Sequence, residues 1–432
     1  MMRRSRLANA GRSPAGRVAL DRTVPALLMK VGRYPLHHGS VGAVRTLGRL
    51  GVRVFAVTED RFTPTARSRY LFKQFLWPTS GAEDPHELVA GMLAIGARIG
   101  ARAVLLPTDD EAALLAAEHA DVLSEHFLLP NVAGDLPRRL ASKRGLAELC
   151  ADVGVPAPAS ARPKSVAELL EIADTIGFPV VLKNDAAWER LSNPAVSCTT
   201  IVRDTPELER LASSWPSMPG VLVQEYLPHA QTEDWTVHVY CGREADCILA
   251  FTGVKLRSFP PYAGVTAVGF SAANEELREL AVAFCRAVGF RGVASMCWRL
   301  DRRDGRYKLL DFNPRVASQF RMLETQQGID VVRALHLDLT GRPVPLGREI
   351  DDRRYVVGNL ALRAAFGYRH DRVTSGRIKR ARTGGVERAW LAADDPLPGL
   401  LVAIRSALRA RSLLRRAVRA LPGRASGARP HG

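Results

Sequence analysis

Long apolar runs, paired cysteines and lysine are all scarce in this sequence of 432 residues. No stretch approaches the roughly 18 consecutive apolar residues of a membrane-spanning helix, and no apolar segment follows the N-terminal arginines as it would in a secretory signal. The six cysteines form neither a CxxC pair nor a cluster with zinc-ligand spacing. These absences predict a cytoplasmic chain with buried free thiols and without disulfides, structural zinc or a membrane span.

Positive charge is abundant but unevenly distributed along the chain. The formal net charge is +17, yet residues 1–22 carry six arginines against one acid and residues 400–432 carry eight arginines and no acid. The 377 residues between them hold only +4. Because the body is nearly neutral and no aromatic platform accompanies the arginines, we expect no nucleic-acid partner.

The length and the patterning predict two or three domains in the α/β class. Residues 1–22 lack periodicity and are expected to be a disordered basic tail. Apolar strands alternate with helical patterns in residues 23–138, which predicts a parallel sheet covered by helices. Residues 139–345 contain helices and antiparallel strands that end in a hairpin, and residues 346–432 form an Arg-rich helical extension.

The end of this extension has two interpretations. In Leu400–Leu421, apolar residues such as Leu401, Ile404 and Leu408 alternate with arginines. Such a helix could lie on an anionic membrane surface as a peripheral contact. The alternative is a solvated tail.

Lysine is the informative residue, because the chain has 53 arginines and only eight lysines. Lys143 falls in the first turn of a predicted helix, where the helix dipole disfavours a cation by about 0.3–1 kcal/mol; a bound phosphate would offset this cost. Lys183 ends the apolar strand Pro179–Lys183, and a lysine is rarely buried without a partner. Both lysines are therefore candidate phosphate ligands, with an exposed lysine beside a loop or a strand end as the alternative.

Two further motifs could bind a metal ion and an adenine ring. Asp311 and Asn313 are two apart on a predicted strand and so point to the same side, where two oxygen donors suit Mg²⁺. Arg315 follows and could pair with a phosphate or a carboxylate. Earlier, the segment Gln224–Pro228 leaves a strand end whose backbone groups could pair with an adenine edge.

The order of these motifs resembles the ATP-grasp superfamily, and in particular its carboxylate–amine ligases, over residues 24–345. The resemblance implies that Lys143 and Lys183 hold the phosphates of ATP. It assigns the adenine and ribose contacts to a further set of residues: Gln224, Glu225 (to the exocyclic amine), Leu227 (beneath the ring) and, for the ribose, Glu233 or Asp234.

The resemblance also implies the reacting end of the site. Asp311 and Asn313 would bind Mg²⁺, with Mn²⁺ as an alternative, while Lys255 and Arg315 would contact the reacting phosphate and acyl group. Lys255 lies in a predicted strand–loop segment, Thr252–Arg257. The first domain would be the Rossmann-like pre-ATP-grasp domain, whose loop around residues 32–39 meets substrate.

Two departures from the family pattern bear on the metal and on the phosphate lid. The family usually has another acidic metal ligand where this chain has Cys297, and a thiol is a poor ligand for Mg²⁺. Either Asp301 compensates or metal binding is altered. The segment Asn184–Ala195 lacks the family's glycines, so the lid must use Ser192, Asn193 or Ser197, or be looser.

Together these features predict an ATP-dependent ligase. It would activate a small-molecule carboxylate as an acyl phosphate, which an amine then attacks. The alternative is an ATP-grasp fold that binds a nucleotide or another ligand without turnover. The sequence indicates neither the two substrates nor an oligomeric state.

Overall fold

The structure is a computed structural model that describes residues 18–186, 188–189, 194–197, 199–262, 264–369 and 385–420. These residues form three β-sheets, of five, four and seven strands, covered by helices, and we number the elements along the chain. The predicted α/β class is confirmed. Buried residues of the five-stranded and the seven-stranded sheet share one hydrophobic core, and the four-stranded sheet has a core of its own.

The first domain is a parallel sheet with the strand order β3-β2-β1-β4-β5. Its strands are β1 (Ala26–Met29), β2 (Val54–Thr58), β3 (Leu71–Leu76), β4 (Ala103–Pro107) and β5 (Phe127–Leu128). Its helices are α1 (His38–Gly48), α2 (Pro85–Ile99), α3 (Asp110–Glu118), α4 (Ala120–Leu123) and α5 (Leu136–Ala141). The central strands are buried on both faces, which explains their continuous apolar runs. The half-exposed edge strand β3 lacks such a run and was not predicted.

A short helix leads into a small antiparallel sheet with the order β6-β9-β7-β8. The elements are α6 (Lys143–Asp152), β6 (Ser160–Ala161), α7 (Val166–Ile176), β7 (Val180–Asn184), β8 (Thr200–Val202), α8 (Thr205–Ala212) and β9 (Val221–Glu225). Helices α7 and α8 bury one face of this sheet, including Val180 and Leu182. Because side chains alternate along β7, Lys183 points to the opposite, uncovered face.

The third sheet has the order β14-β13-β10-β11-β12-β15-β16. Its elements are β10 (Thr232–Cys241), β11 (Cys247–Phe259), β12 (Val265–Ser271), α9 (Glu275–Ala287), β13 (Gly292–Asp301), β14 (Arg306–Asn313), α10 (Val331–Leu339), β15 (Arg354–Val356) and β16 (Val386–Arg388). One face packs against α9 and α6. At one end of the other face, residues such as Tyr240 and Phe251 share a core with the first domain. The remaining part of that second face is left to form a cleft.

The ends of the chain differ from the prediction. The C-terminal extension is not purely helical, because β15 and β16 continue the third sheet before and after α11 (Gly358–Gly367). A last helix, α12 (Leu397–Ala420), follows. Residues 1–17 of the predicted tail and residues 421–432 lie outside the described part, whereas residues 18–22 pack on the first domain, with Leu20 buried.

Two cysteines contradict the prediction of free thiols. Cys241 and Cys247 lie directly opposite each other where β10 and β11 meet, and they are joined as a disulfide. Directly opposite residues of an antiparallel pair bring their Cβ atoms to about 5 Å, a closeness that their spacing in the sequence does not reveal. Cys150, Cys285 and Cys297 are free thiols, and Cys198 lies outside the described residues.

Within the described residues, no helix combines the length and the apolar character needed to cross a membrane. Helix α12 keeps Leu400, Ile404 and Leu408 exposed. Its contact with an anionic membrane surface stays a prediction, and co-sedimentation of residues 1–399 and of the full chain with anionic vesicles tests it. Equal binding of the two proteins would contradict it.

Arg45 ties the first domain to the C-terminal extension. Its buried guanidinium donates to the carboxylate of Asp395 at 2.9 Å and to the carbonyl oxygens of Ala389 and Trp390. We expect Arg45→Met to lower the free energy of unfolding by about 3–5 kcal/mol, because the carboxylate of Asp395 would stay buried without its cation. Urea denaturation followed by circular dichroism measures this change.

The neighbouring Arg49 provides the matched control, since it pairs with Asp394 on the surface, where the two side chains are 31% and 44% exposed. Arg49→Met should cost less than about 1 kcal/mol. An equal loss in both variants would contradict the role given to the buried pair.

Candidate functional site

The cleft face of the third sheet follows from alternation along its strands. Trp235, Met296, Trp298 and Phe312 are buried against the helices on one face. The intervening side chains point to the other face: Asp234, Thr236, Cys297, Asp311 and Asn313. Cross-strand register places Cys297 opposite Asp311 and Ser295 opposite Asn313. The predicted magnesium ligands are therefore neighbours on the cleft side.

Lys143 and Asp311 come together in this cleft. Lys143 is the first residue of α6, after the N-cap Ser142, and its Nζ contacts Oδ1 of Asp311. Burial alone would raise the pKa of the Asp311 carboxyl, but the charge of Lys143 and its hydrogen bond hold that pKa below its usual range. The carboxylate is thus ionised, as a cation ligand must be.

Lys183 faces the same cleft from the small sheet. Burial, followed by the charge of Lys143, lowers its pKa to about 8. The carboxylate of Asp311 acts in the opposite direction. The positive charge of Lys183 is thus only partly compensated by acidic neighbours, as expected of a lysine that binds a phosphate.

Asp185 connects the two lysines and was missed in the sequence. Its backbone carbonyl accepts the N–H of Lys143 at 3.1 Å, and its carboxylate accepts the N–H of Arg144 and the hydroxyl of Ser142. Asp185 thus caps the N-terminus of α6 from the end of β7. An acid directly after the strand that carries Lys183 was the available signal.

The predicted adenine segment is only partly available to a ligand. Gln224 and Leu227 are buried beside the cleft, and the carbonyl of Leu227 accepts from Arg299. The carboxylate of Glu225, in contrast, accepts from Lys308 at 3.2 Å and from Arg303 at 2.7 Å. The predicted bond from its side chain to an adenine amine stays a prediction; the donors that this carboxylate accepts in the structure come from the β13–β14 hairpin.

Glu233, one of the two predicted ribose ligands, does not share the cleft face of β10, and its role stays a prediction. It shares the helix-covered face with Trp235, where its carboxylate pairs with Arg302 at 3.0 Å. The next residue, Asp234, points into the cleft and pairs with Arg299 at 2.7 Å. Of the two candidates, alternation along β10 leaves Asp234.

Lys255 and Arg315 complete the set of cations. Lys255 lies within strand β11 rather than in a loop; its neighbour Val254 is buried on the helix side, and Lys255 interacts electrostatically with Cys297 and Asp234. Arg315 donates to Asp110 at 2.7 Å and to the amide oxygen of Asn313 at 3.0 Å.

The first domain meets this site at its ligand-binding edge. In the order β3-β2-β1-β4-β5 the connections change direction between β1 and β4, where open α/β sheets bind ligands. Asp109, after β4, accepts the N–H groups of Val31 and Gly32, and burial raises its pKa to about 6. A Cβ on Gly39 would lie 2.8 Å from the backbone of residues 317–318, so the first turn of α1 packs against the segment that follows Arg315.

The oxygen donors fit one divalent cation. The amide nitrogen of Asn313 donates to the carbonyl of Ser295 at 3.2 Å, which orients its oxygen as an acceptor beside the Asp311 carboxylate. Asp301 does not compensate for Cys297, because it is buried at the far end of the hairpin with Arg303 and Lys308. This leaves the other alternative, altered metal binding, as the prediction.

The predicted phosphate lid falls largely outside the described residues, which include neither Ser192 nor Asn193. Ser197 is described, and its hydroxyl lies 2.9 Å from that of Thr200. The role of these three residues in the lid stays a prediction.

Nucleotide affinity should depend on pH through Lys183. Phosphates bind its protonated form, so affinity should fall about tenfold between about pH 7 and pH 9, as the proton of a group with a pKa of about 8 is lost. Burial alone would lower the pKa values of Lys143 and Lys255, but neighbouring groups such as Asp311 and Cys297 raise them above the usual value. These two lysines therefore stay protonated over this range. Calorimetric titration with a non-hydrolysable ATP analogue at each pH measures the effect.

Lys183→Arg is the matched control, since a guanidinium keeps its proton over this range. Its affinity should be independent of pH. A wild-type affinity that does not change across the same range would contradict the assignment.

Comparison with known proteins finds one family whose sequence model matches part of this chain. Residues 244–339 match the description "Carbamoyl-phosphate synthase L chain, ATP binding domain". The matched stretch holds the cleft residues of the third sheet from Lys255 to Arg315. D-aspartate ligase of Enterococcus faecium is 25% identical over 240 residues, which cover 53% of this chain and 57% of that relative. The chain thus matches little more than half the length of that protein.

Two solved structures share the fold. The biotin carboxylase domain of Hydrogenobacter thermophilus 2-oxoglutarate carboxylase, in complex with MgADP, ADP and bicarbonate, has a TM-score of 0.57 at 16% identity, and the match covers 75% of this chain and 71% of that one. L-amino acid ligase of Bacillus licheniformis has a TM-score of 0.56 at 16% identity, with 76% of each chain covered. At this level of identity, the similarity defines the fold.

Proposed function

We propose that this chain, which has the ATP-grasp fold predicted from its sequence, is an ATP-dependent ligase that joins a small-molecule carboxylate to an amine. One observation carries the proposal: Lys143, Lys183 and Lys255 converge on the carboxylate of Asp311 from three different elements. Three ammonium groups around one ionised cation ligand form a site for phosphates and a divalent cation.

The site would act by positioning and by charge. A carboxylate oxygen of the substrate attacks the γ-phosphorus of ATP; the bond to ADP breaks, and an acyl phosphate forms. Lys143 and Lys183 stabilise the charge that spreads over the transferring phosphoryl group. A cation held by Asp311 and Asn313 would neutralise further phosphate charge. No covalent bond to the chain and no general base from the chain is required.

The second step would take place toward the first domain. The amine nitrogen attacks the acyl carbon, the bond to phosphate breaks, and inorganic phosphate leaves. Arg315, which pairs with Asp110 at the edge of the parallel sheet, would bind the acyl phosphate oxygens. His37 caps the start of α1, and burial, with the charges of His38 and Arg315, lowers its pKa well below the usual value, so it presents a neutral ring.

The relatives support the choice of an amine acceptor. D-aspartate ligase and L-amino acid ligase are both named for joining amino acids, which makes amino acids the first acceptors and donors to test. The biotin carboxylase likeness supports the nucleotide half of the proposal, because that structure holds MgADP.

Trapping with hydroxylamine tests the proposal. Purified protein, ATP, Mg²⁺ and pools of carboxylic acids should release ADP and form a hydroxamate for the correct acid, and an added amine should replace the hydroxamate with a ligated product detected by mass. Tight ATP binding without ADP release from any acid and amine pool would contradict the ligase and favour the alternative, a nucleotide-binding protein without turnover.

A further inference from the structure

Charged side chains of both signs line or border the cleft. Five are cationic: Lys143, Lys183, Lys255, Arg299 and Arg315. Five carboxylates accompany them: Asp109, Asp110, Asp185, Asp234 and Asp311. The named charges balance, and what varies along the cleft is the kind of donor that stands beside Asp311.

Cys297 is the donor on one side of Asp311. It lies directly across from Asp311, on the face that points into the cleft. Lys143 and Lys255 are close enough to interact with it electrostatically. An uncharged thiol therefore occupies the one cross-strand position from which a second carboxylate could share a cation with Asp311.

The two sides of Asp311 consequently differ as cation sites. On the side of Asn313, the carboxylate and the amide oxygen are both hard donors, and the amide oxygen, which accepts from Arg315, keeps a second lone pair for a cation. On the side of Cys297, a cation would find the same carboxylate and a soft sulfur donor, and it would meet the ammonium groups of Lys143 and Lys255. A hard divalent cation is disfavoured there both by the donor and by the charge.

We propose, on the basis of the nucleotide site of the proposed function, that the chain binds its nucleotide with one divalent cation instead of two. The cation lies with Asp311 and Asn313, and Lys255 with Lys143 supplies the positive charge on the Cys297 side. A nucleoside triphosphate with one divalent cation keeps about two negative charges. These charges are free to contact Lys143 and Lys255, whereas a second divalent cation would have to share the Cys297 side with both ammonium groups.

The number of Mn²⁺ ions bound in the presence of a non-hydrolysable ATP analogue tests the proposal without reference to activity. Electron paramagnetic resonance of free Mn²⁺ should show one ion per nucleotide–protein complex in the wild type. Cys297→Asp restores a carboxylate across from Asp311 and should bind two. Cys297→Ser, uncharged and close in size to the thiol, is the matched control and should stay at one.

Lys255→Met provides a second, independent measurement. Removing this ammonium group should weaken binding of the analogue by about 10–100-fold at saturating Mn²⁺. In the double variant with Cys297→Asp, the second ion should replace the missing charge and recover most of this loss. If the affinity of the double variant for the analogue falls by the sum of the two single effects, a second cation does not replace the charge of Lys255, and the proposal is overturned.

Two ions in the wild type would overturn the proposal, and loss of one of them in Cys297→Ser would then identify the thiol as a ligand. One ion in a folded, nucleotide-binding Cys297→Asp variant would overturn it as well. Absence of nucleotide binding by the wild type at any Mn²⁺ concentration would instead remove the proposed function, so the two failures are distinguishable.

Discussion

Replacing Asp311 with asparagine should reduce ATP turnover on the order of 10³-fold. The substitution keeps the shape of the side chain but removes the ionised carboxylate that lies opposite Cys297 and two residues before Asn313. It also leaves the ammonium of Lys143 without the carboxylate that it contacts. The cation and the lysine would then both lose their anchor, while the buried face of the strand, including Phe312, stays unchanged.

Steady-state ADP release as a function of Mg²⁺ concentration measures this effect. Asp304→Asn is the matched control, because Asp304 lies in the turn of the same hairpin, is 40% exposed and pairs with Lys308 at 3.3 Å. That control should keep turnover within about twofold, in line with the small worth of an exposed pair. Equal turnover in Asp311→Asn and the wild type would exclude Asp311 as the cation ligand.

Replacing Lys183 with methionine should weaken nucleotide binding by about 10²–10³-fold. Methionine preserves the length of the apolar stem against Val181, but it removes a charge-assisted bond in a cleft that excludes water. Because Lys183 has a lowered pKa in the absence of anions, its removal should also stabilise the ligand-free fold. Loss of affinity together with a higher melting temperature separates a ligand-binding role from a structural one.

Calorimetry with an ATP analogue and thermal denaturation provide the two readouts. The exposed Lys164, in the loop before α7, is the control, and Lys164→Met should change neither quantity. A Lys183→Met variant that binds the analogue like the wild type would refute the assignment of this lysine to phosphate.

Most of the fold could be predicted because its strands are buried and its helices carry clear caps. Strand β4 is buried along nearly its whole length, and the Ser142 and Ser165 caps mark the starts of α6 and α7. The strands that were not predicted are those that form through pairing with a distant strand and have no apolar pattern of their own. The short strands β15 and β16 have only three residues each; β15 forms because the edge of β12 supplies hydrogen-bonding groups, and β16 forms on the edge of β15.

The parts of the candidate site that could be predicted are those where a single charged residue lies at an unusual position in a helix or a strand. Lys143, Lys183 and Asp311 could be singled out because a charge at a helix start or at the end of a buried strand needs a partner. The choice between Glu233 and Asp234 depends on which face each residue takes, and this depends on the register with β13. Glu225 could not be resolved because its donors come from a hairpin almost 80 residues away.

The position of β15 bears on how the chain can be divided. Strand β15 pairs with β12 through Val268 and Phe270, and it thereby covers an edge that would otherwise expose unpaired N–H and C=O groups. A protein shortened at residue 345, the boundary suggested by the sequence, would display β12 as an open template for another chain. Open edges of this kind promote intermolecular pairing. Such a fragment should therefore aggregate, even with every nucleotide ligand intact.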